Sequence, residues 1–198
     1  MKIIRHRVNS SKNLLKIPRQ YGTEIDLRWS HDLGIYLSHD PNSSGEVFRE
    51  WLKSYNHGTL ILNVKEDGIE QEILELMDSF SIREFFFLDQ PIPTLIKCII
   101  NKVPTAIRLS EYEVFPQNLP ANPEWLWVDS FTGSWEHLTN SLEIAANLNL
   151  KICIVSPELQ GRNSACELNE IKSKIGDLWS ADFVFVCTKN PENWLRHE

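Results

Sequence analysis

The feature that most constrains this chain is a succession of short β-branched or aromatic runs separated by segments of helical periodicity. The runs span residues 2–6, 23–28, 59–65, 84–89, 105–110, 125–131, 151–157 and 182–188. A further run, 34–39, follows the second so closely that it reads as its hairpin or extension. Phe48, Trp51, Leu52 and Tyr55 fall at i, i+3, i+4 and i+7, the spacing of one helix face. Three other stripes predict helices: Leu95, Ile96, Ile99 and Ile100; Leu138, Leu142 and Ala145; Ala165, Leu168, Ile171 and Ile175. After the fifth run, Phe115-Pro116-Gln117-Asn118-Leu119-Pro120 excludes a regular long helix.

Eight strand candidates alternating with helices, without a linker or a break in composition, predict parallel βαβ units. An open doubly wound sheet that binds a nucleotide would carry a Gly-rich first turn. Here the first run leads instead into Val8-Asn9-Ser10-Ser11-Lys12. The expected architecture is therefore α/β, a compact (β/α)8 TIM barrel with trimmed helices and loops, formed as one domain over residues 1–198.

Composition narrows the class of function. Twenty Lys and Arg stand against 27 Asp and Glu, a net charge of −7, which argues against nucleic acid or an anionic membrane as a nonspecific partner. No apolar run approaches the roughly 18 residues of a membrane span. The N-terminus enters a charged strand without a signal-type apolar stretch. Cys98, Cys153, Cys166 and Cys187 form no C-x-x-C pair, and two of them lie inside apolar runs, so free thiols and a cytoplasmic location are expected. A nucleophile elbow, a P-loop, H-E-x-x-H and a cysteine-based zinc pattern are all missing from the sequence.

A barrel of this kind builds its site at the C-terminal ends of the strands. The first run ends in His6-Arg7, the second carries Glu24-Ile25-Asp26, and its extension ends in His39-Asp40. The third ends in Asn63-Val64-Lys65 and the fifth carries Arg108. Alternation places Glu24 and Asp26 on one face, and Asn63 and Lys65 on one face. Glu-x-Asp offers two hard oxygen donors about 7 Å apart by strand rise, a pairing suited to Mg2+ or Ca2+. Two histidines offer an acid and a base near neutral pH, and Arg and Lys hold an anion. Together they point to metal-assisted chemistry on a phosphate ester or diester. Each has a plainer use: Glu-x-Asp as a structural ion pair, and Lys65 or Arg108 as its partner.

The order His6-Arg7, Glu24-Ile25-Asp26, His39-Asp40 resembles the glycerophosphodiester phosphodiesterase and phosphatidylinositol-specific phospholipase C-like TIM barrels. Those proteins open with His-Arg-Gly, continue with Glu-x-Asp and end a hairpin in His-Asp. The resemblance implies a divalent cation, Mg2+ or Ca2+, on Glu24, Asp26 and Asn63. It implies His6 and His39 as general base and acid, with Arg7 and Lys65 on the substrate phosphate; the strand-end reading adds Arg108 as a further phosphate-binding candidate. Three departures accompany it. Asn63 stands where a third carboxylate is usual, Val8 replaces a glycine, and the insertion after the hairpin is absent. Asp89, Glu111, Asp129 and Glu158 are the carboxylates that could compensate for Asn63.

The expected function is hydrolysis of a small polar phosphodiester, of the glycerophospho, sugar-linked or nucleotide-linked kind. The alternative is a diverged barrel that binds a phosphorylated ligand without hydrolysis, or a lyase or isomerase using Lys65. A homodimer would cover exposed helix faces.

Overall fold

Each apolar run identified above forms a strand in the computed structural model, which describes residues 1–162 and 164–195. In chain order the elements are β1 (Lys2–Arg5), α1 (Ser11–Leu14), β2 (Gly22–Ser30), β3 (Gly34–Leu37), β4 (Glu46–Val47), α2 (Phe48–Leu52), β5 (Leu60–Val64), α3 (Glu70–Ser79), β6 (Phe85–Leu88) and α4 (Ile92–Ile100). They continue with β7 (Ala106–Leu109), β8 (Trp125–Val128), α5 (Glu136–Leu148), β9 (Lys151–Val155), α6 (Ala165–Ile175) and β10 (Val184–Thr188). The fold is mixed α/β, and the chain divides into two compact units.

One unit spans Arg5–Leu95. Its strands run in the order β4-β3-β2-β5-β6. β2, β5 and β6 are parallel, whereas β2, β3 and β4 form an antiparallel meander. The 34–39 run is thus a hairpin arm of β2. β4 was not expected; two residues are too few to carry a periodic signal. Ile25, Leu27, Leu60, Leu62 and Phe87 are buried in the sheet. α2 buries Phe48, Trp51 and Leu52 of the predicted stripe. Its last residue, Tyr55, follows in a turn closed by hydrogen bonds three residues apart and stacks on Trp51. α3 buries Ile73, Leu76 and Met77, a stripe diluted in the sequence by Glu70, Glu72 and Glu75.

The second unit comprises residues 1–4 and 96–198. β1 flanks β10, and β10, β9, β8 and β7 follow as parallel neighbours. The 125–131 run stops as a strand at Val128. Beyond it the Ser130 amide donates to Asp129 Oδ1, and Glu111 takes the amides of Phe131 and Thr132, so the backbone turns away from the ladder. The connection 110–124, described throughout, holds no helix, as its prolines require. α5 ends on Asn149 in a left-handed cap, φ 54°. Cys98, Cys153 and Cys187 are buried, whereas Cys166 is exposed. No helix of the described residues is long and apolar enough to cross a membrane.

Candidate active site

β2 presents Glu24 and Asp26 on one face, and β5 lies parallel beside it with Asn63 opposite Asp26. Alternation carries Lys65, just past the end of β5, to the same face. Both carboxylates are buried, at 1% exposure. Ions at that depth cost several kcal/mol unless every lone pair finds a partner.

Each oxygen has a donor. Glu24 Oε1 accepts from Asn63 Nδ2 at 3.1 Å, and Glu24 Oε2 from the Arg7 backbone N–H at 2.6 Å. Asp26 Oδ1 meets Asn63 Nδ2 at 3.3 Å and Lys65 Nζ at 3.2 Å. Asp26 Oδ2 accepts from Asn9 Nδ2 at 2.8 Å and faces Arg7 Nε at 3.5 Å. The Asn9 Oδ1 in turn accepts from the Asp26 N–H at 2.9 Å. Burial, and then the charge of Asp26, push the Glu24 carboxyl up to about 7, against the pull of the Arg7 amide, Asn63 and Lys65.

The loop that delivers Arg7 turns at a left-handed residue. Arg7 has φ 54°, a conformation that costs a side-chain-bearing residue on the order of 1 kcal/mol. The next amide, of Val8, then donates to the Glu24 carbonyl at 2.8 Å. Val8 itself is buried with an ordinary φ, so the missing glycine leaves the turn intact.

His6 is mostly buried, at 13% side-chain exposure, and its Nε2 lies 3.7 Å from Glu24 Oε2. His39 stands beyond the end of β3 and is 42% exposed. Its Nδ1 lies 2.8 Å from Asp40 Oδ1. That hydrogen bond, aided by the charges of His39 itself, Arg7 and Arg28, holds the Asp40 carboxyl below its usual range. An ionised Asp40 requires His39 to carry its proton on Nδ1 when neutral, which leaves Nε2 able to accept one.

The structure therefore gathers His6, Arg7, Glu24, Asp26, Asn63 and Lys65 into one contact network, with His39 on the adjoining hairpin. Arg108 belongs to the second unit, where it donates to Asp129 Oδ2 at 2.9 Å. Asp129 also accepts from Gln160, Glu111 from Thr132, and Glu158 from the Lys189 amide. These three carboxylates belong to the second unit, and each accepts a hydrogen bond from a neighbour within it. Among the described residues no group of three or more His, Cys, Asp and Glu is arranged to hold a metal. The expected set is two carboxylates and an amide whose Oδ1 is buried without a hydrogen-bond partner.

Sequence reasoning passed over Asn9, which sits in an ordinary Asn-Ser-Ser turn, and Arg28 and Glu66, which read as strand-end charges. Their partners come only with the tertiary fold: Asn9 meets Asp26 from the loop after β1, and Arg28 meets Glu66 across the β2–β5 pair.

No family model matches the chain, and no curated protein matches it by sequence. Solved structures do match. The glycerophosphodiester phosphodiesterase from Agrobacterium tumefaciens superposes with a TM-score of 0.66 at 15% identity, covering 98% of this chain and 97% of that one. This chain has the glycerophosphodiester phosphodiesterase fold. A glycerophosphoryl diester phosphodiesterase from Parabacteroides distasonis gives 0.66 at 13% identity, over 98% and 84% of the two chains. A phosphodiesterase from Oleispira antarctica, solved with the product sn-glycerol-3-phosphate, gives 0.62 at 12%, over 98% and 95%. Likeness to the glycerophosphodiester phosphodiesterases thus extends along the whole chain, well past the motifs of its first third.

Proposed function

We propose that this protein hydrolyses a small polar phosphodiester of the glycerophosphodiester type, with His6 and His39 as the acid–base pair. The observation that carries the reading is the single network in which His6, Arg7 and Lys65 surround the buried Glu24, Asp26 and Asn63 on this fold. Arg7 and Lys65 put two cationic groups beside the acidic pair, where they attract and orient a phosphate diester. His39, with Nδ1–H held by Asp40, suits the base that takes a proton from water through Nε2. The water oxygen bonds to phosphorus, the bond from phosphorus to the leaving oxygen breaks, and His6 protonates the departing alcohol. The products are an alcohol and a phosphomonoester. Arg108 is proposed as a further phosphate contact.

Glu24, Asp26 and Asn63 fit a divalent cation, Mg2+ or Ca2+, because two hard carboxylates converge there and the unpartnered Asn63 Oδ1 is a third oxygen. Turning the amide end for end would present that oxygen in place of the nitrogen. When bound, such a cation stabilises negative charge on phosphoryl oxygens. The same reading takes the strands as closing a (β/α)8 barrel and the thiol-bearing chain as cytoplasmic.

One observation favours a second reading, a barrel that binds a phosphorylated ligand without hydrolysis or uses Lys65 in a lyase or isomerase step. Asn63 Nδ2 and Lys65 Nζ already lie against the carboxylates. Turnover of glycerophosphocholine and bis(p-nitrophenyl) phosphate, with and without chelator, separates the two. Hydrolysis lost in His6→Ala, in His39→Ala and on chelation is expected. Retained turnover in both variants defeats the role assignment, and phosphate binding that survives chelation without turnover favours the second reading.

A further inference from the structure

We infer that Arg28, braced by Glu66, is a positioning residue that fixes His39 relative to the acidic pair; the inference rests on the proposed role of His39. The β2–β3 ladder reaches Leu27 opposite Leu37, and one more bond joins the Ser38 amide to the Asp26 carbonyl at 3.1 Å. His39 lies beyond it. There the Arg28 guanidinium takes over, donating to the His39 carbonyl through both Nε, at 3.3 Å, and a terminal nitrogen, at 2.9 Å.

The opposite edge of the guanidinium donates to Glu66 Oε1 at 3.1 Å, while Glu66 Oε2 accepts from the Trp29 N–H at 2.9 Å. The carboxylate is therefore anchored to the backbone of β2 and grips the arginine at the same time. At 13% exposure, Arg28 is no loosely tethered surface cation. The next carbonyl, of Asp40, accepts from the Ser43 hydroxyl at 2.7 Å and the Ser38 hydroxyl at 3.1 Å. Asp40 in turn holds the His39 ring.

Arg28 shares the face of β2 with Glu24 and Asp26, lying four and two residues beyond them. One strand thus carries both the acidic pair and the clamp on the hairpin histidine. A shift of about 1 Å in a catalytic group costs on the order of 100-fold in rate, so the clamp acts on kcat and leaves ground-state binding alone.

The test compares Arg28→Ala, Arg28→Lys and Glu66→Gln with His39→Ala on glycerophosphocholine and bis(p-nitrophenyl) phosphate, after circular dichroism shows each variant folded. Arg28→Ala is expected to lower kcat by about 10- to 100-fold with KM within about threefold. Millimolar guanidinium or the lysine variant should restore part of it. Wild-type kcat in Arg28→Ala beside an inactive His39→Ala overturns the proposal, as does a loss that neither guanidinium nor lysine relieves. An active His39→Ala defeats the site reading itself, and the proposal with it. Ring resonances in histidine-labelled protein need no turnover. The His39 signal should broaden or multiply in Arg28→Ala while the His6 signal stays single, and an unchanged His39 signal overturns the proposal.

Discussion

The Asn63 amide nitrogen spans Glu24 and Asp26, 3.1 Å from one carboxylate and 3.3 Å from the other. A neutral group thus bridges two buried acids, and its own oxygen has no partner. Asn63→Asp would supply a third negative oxygen ligand in the same place. Titration of Mg2+ and Ca2+ into chelator-stripped protein should show the variant binding at least about tenfold more tightly than wild type, about 1.4 kcal/mol. Glu24→Ala combined with Asp26→Ala should abolish the signal. Equal affinities in wild type and Asn63→Asp would remove residue 63 from the cation's surroundings.

Asn9 makes a two-way amide bridge to Asp26, donating to Oδ2 at 2.8 Å and accepting from its N–H at 2.9 Å. Asn9→Ala leaves Arg7 beside Asp26 Oδ2 but takes the acceptor from the buried Asp26 N–H, a loss that costs roughly 1–3 kcal/mol. Urea unfolding should show a fall in that range with an unchanged denaturant slope. No measurable fall would mean that water replaces the amide.

Gly45 closes the loop that leaves His39. A Cβ built there would lie 2.0 Å from the Leu37 carbonyl oxygen, backbone that has little room to yield. Gly45→Ala should therefore destabilise the fold by about 1–3 kcal/mol, the usual cost of overpacking, and disturb the β3–β4 pairing. A midpoint within error of wild type would show that the hairpin relaxes without cost.

What could be read from the chain depended on the range of the interaction. Strand positions followed from apolar runs because burial selects β-branched and aromatic residues locally, and each run became a strand. β4 escaped because two residues have no period, and α3 because Glu70, Glu72 and Glu75 dilute its stripe. At the candidate site, Glu24 and Asp26 were legible as a pair from alternation along one strand. Asn63 and Lys65 were legible as a second pair. That Asn63 would face both acids with its nitrogen, and that Asn9 would take the far side of Asp26, depended on contacts between segments 17 to 39 residues apart. The Arg28 clamp was invisible for the same reason: its acceptor is a backbone carbonyl, which carries no signature in the sequence.

Glu111 offers a test of charge on the second unit. Its carboxylate accepts from the amides of Phe131 at 3.0 Å and Thr132 at 2.7 Å. Partial burial pushes the carboxyl up, but hydrogen bonds led by the Thr132 hydroxyl outweigh it and hold the group down at about 2. An unfolded glutamate titrates near 4.3. Above that value both states are ionised and the stabilisation is fully present. As pH falls from about 4.3 toward 2 the unfolded chain takes up its proton first, so the stabilisation drains away, and below about 2 none remains. Glu111→Gln cannot ionise and escapes this dependence. Urea midpoints should place wild type above Glu111→Gln at pH 7, with the gap narrowing at pH 4 and again at pH 3. The gap will be modest, because solvent screens a partly exposed carboxylate. A gap that stays constant across that range would show that the loop is held by the shape of the side chain and not by its charge.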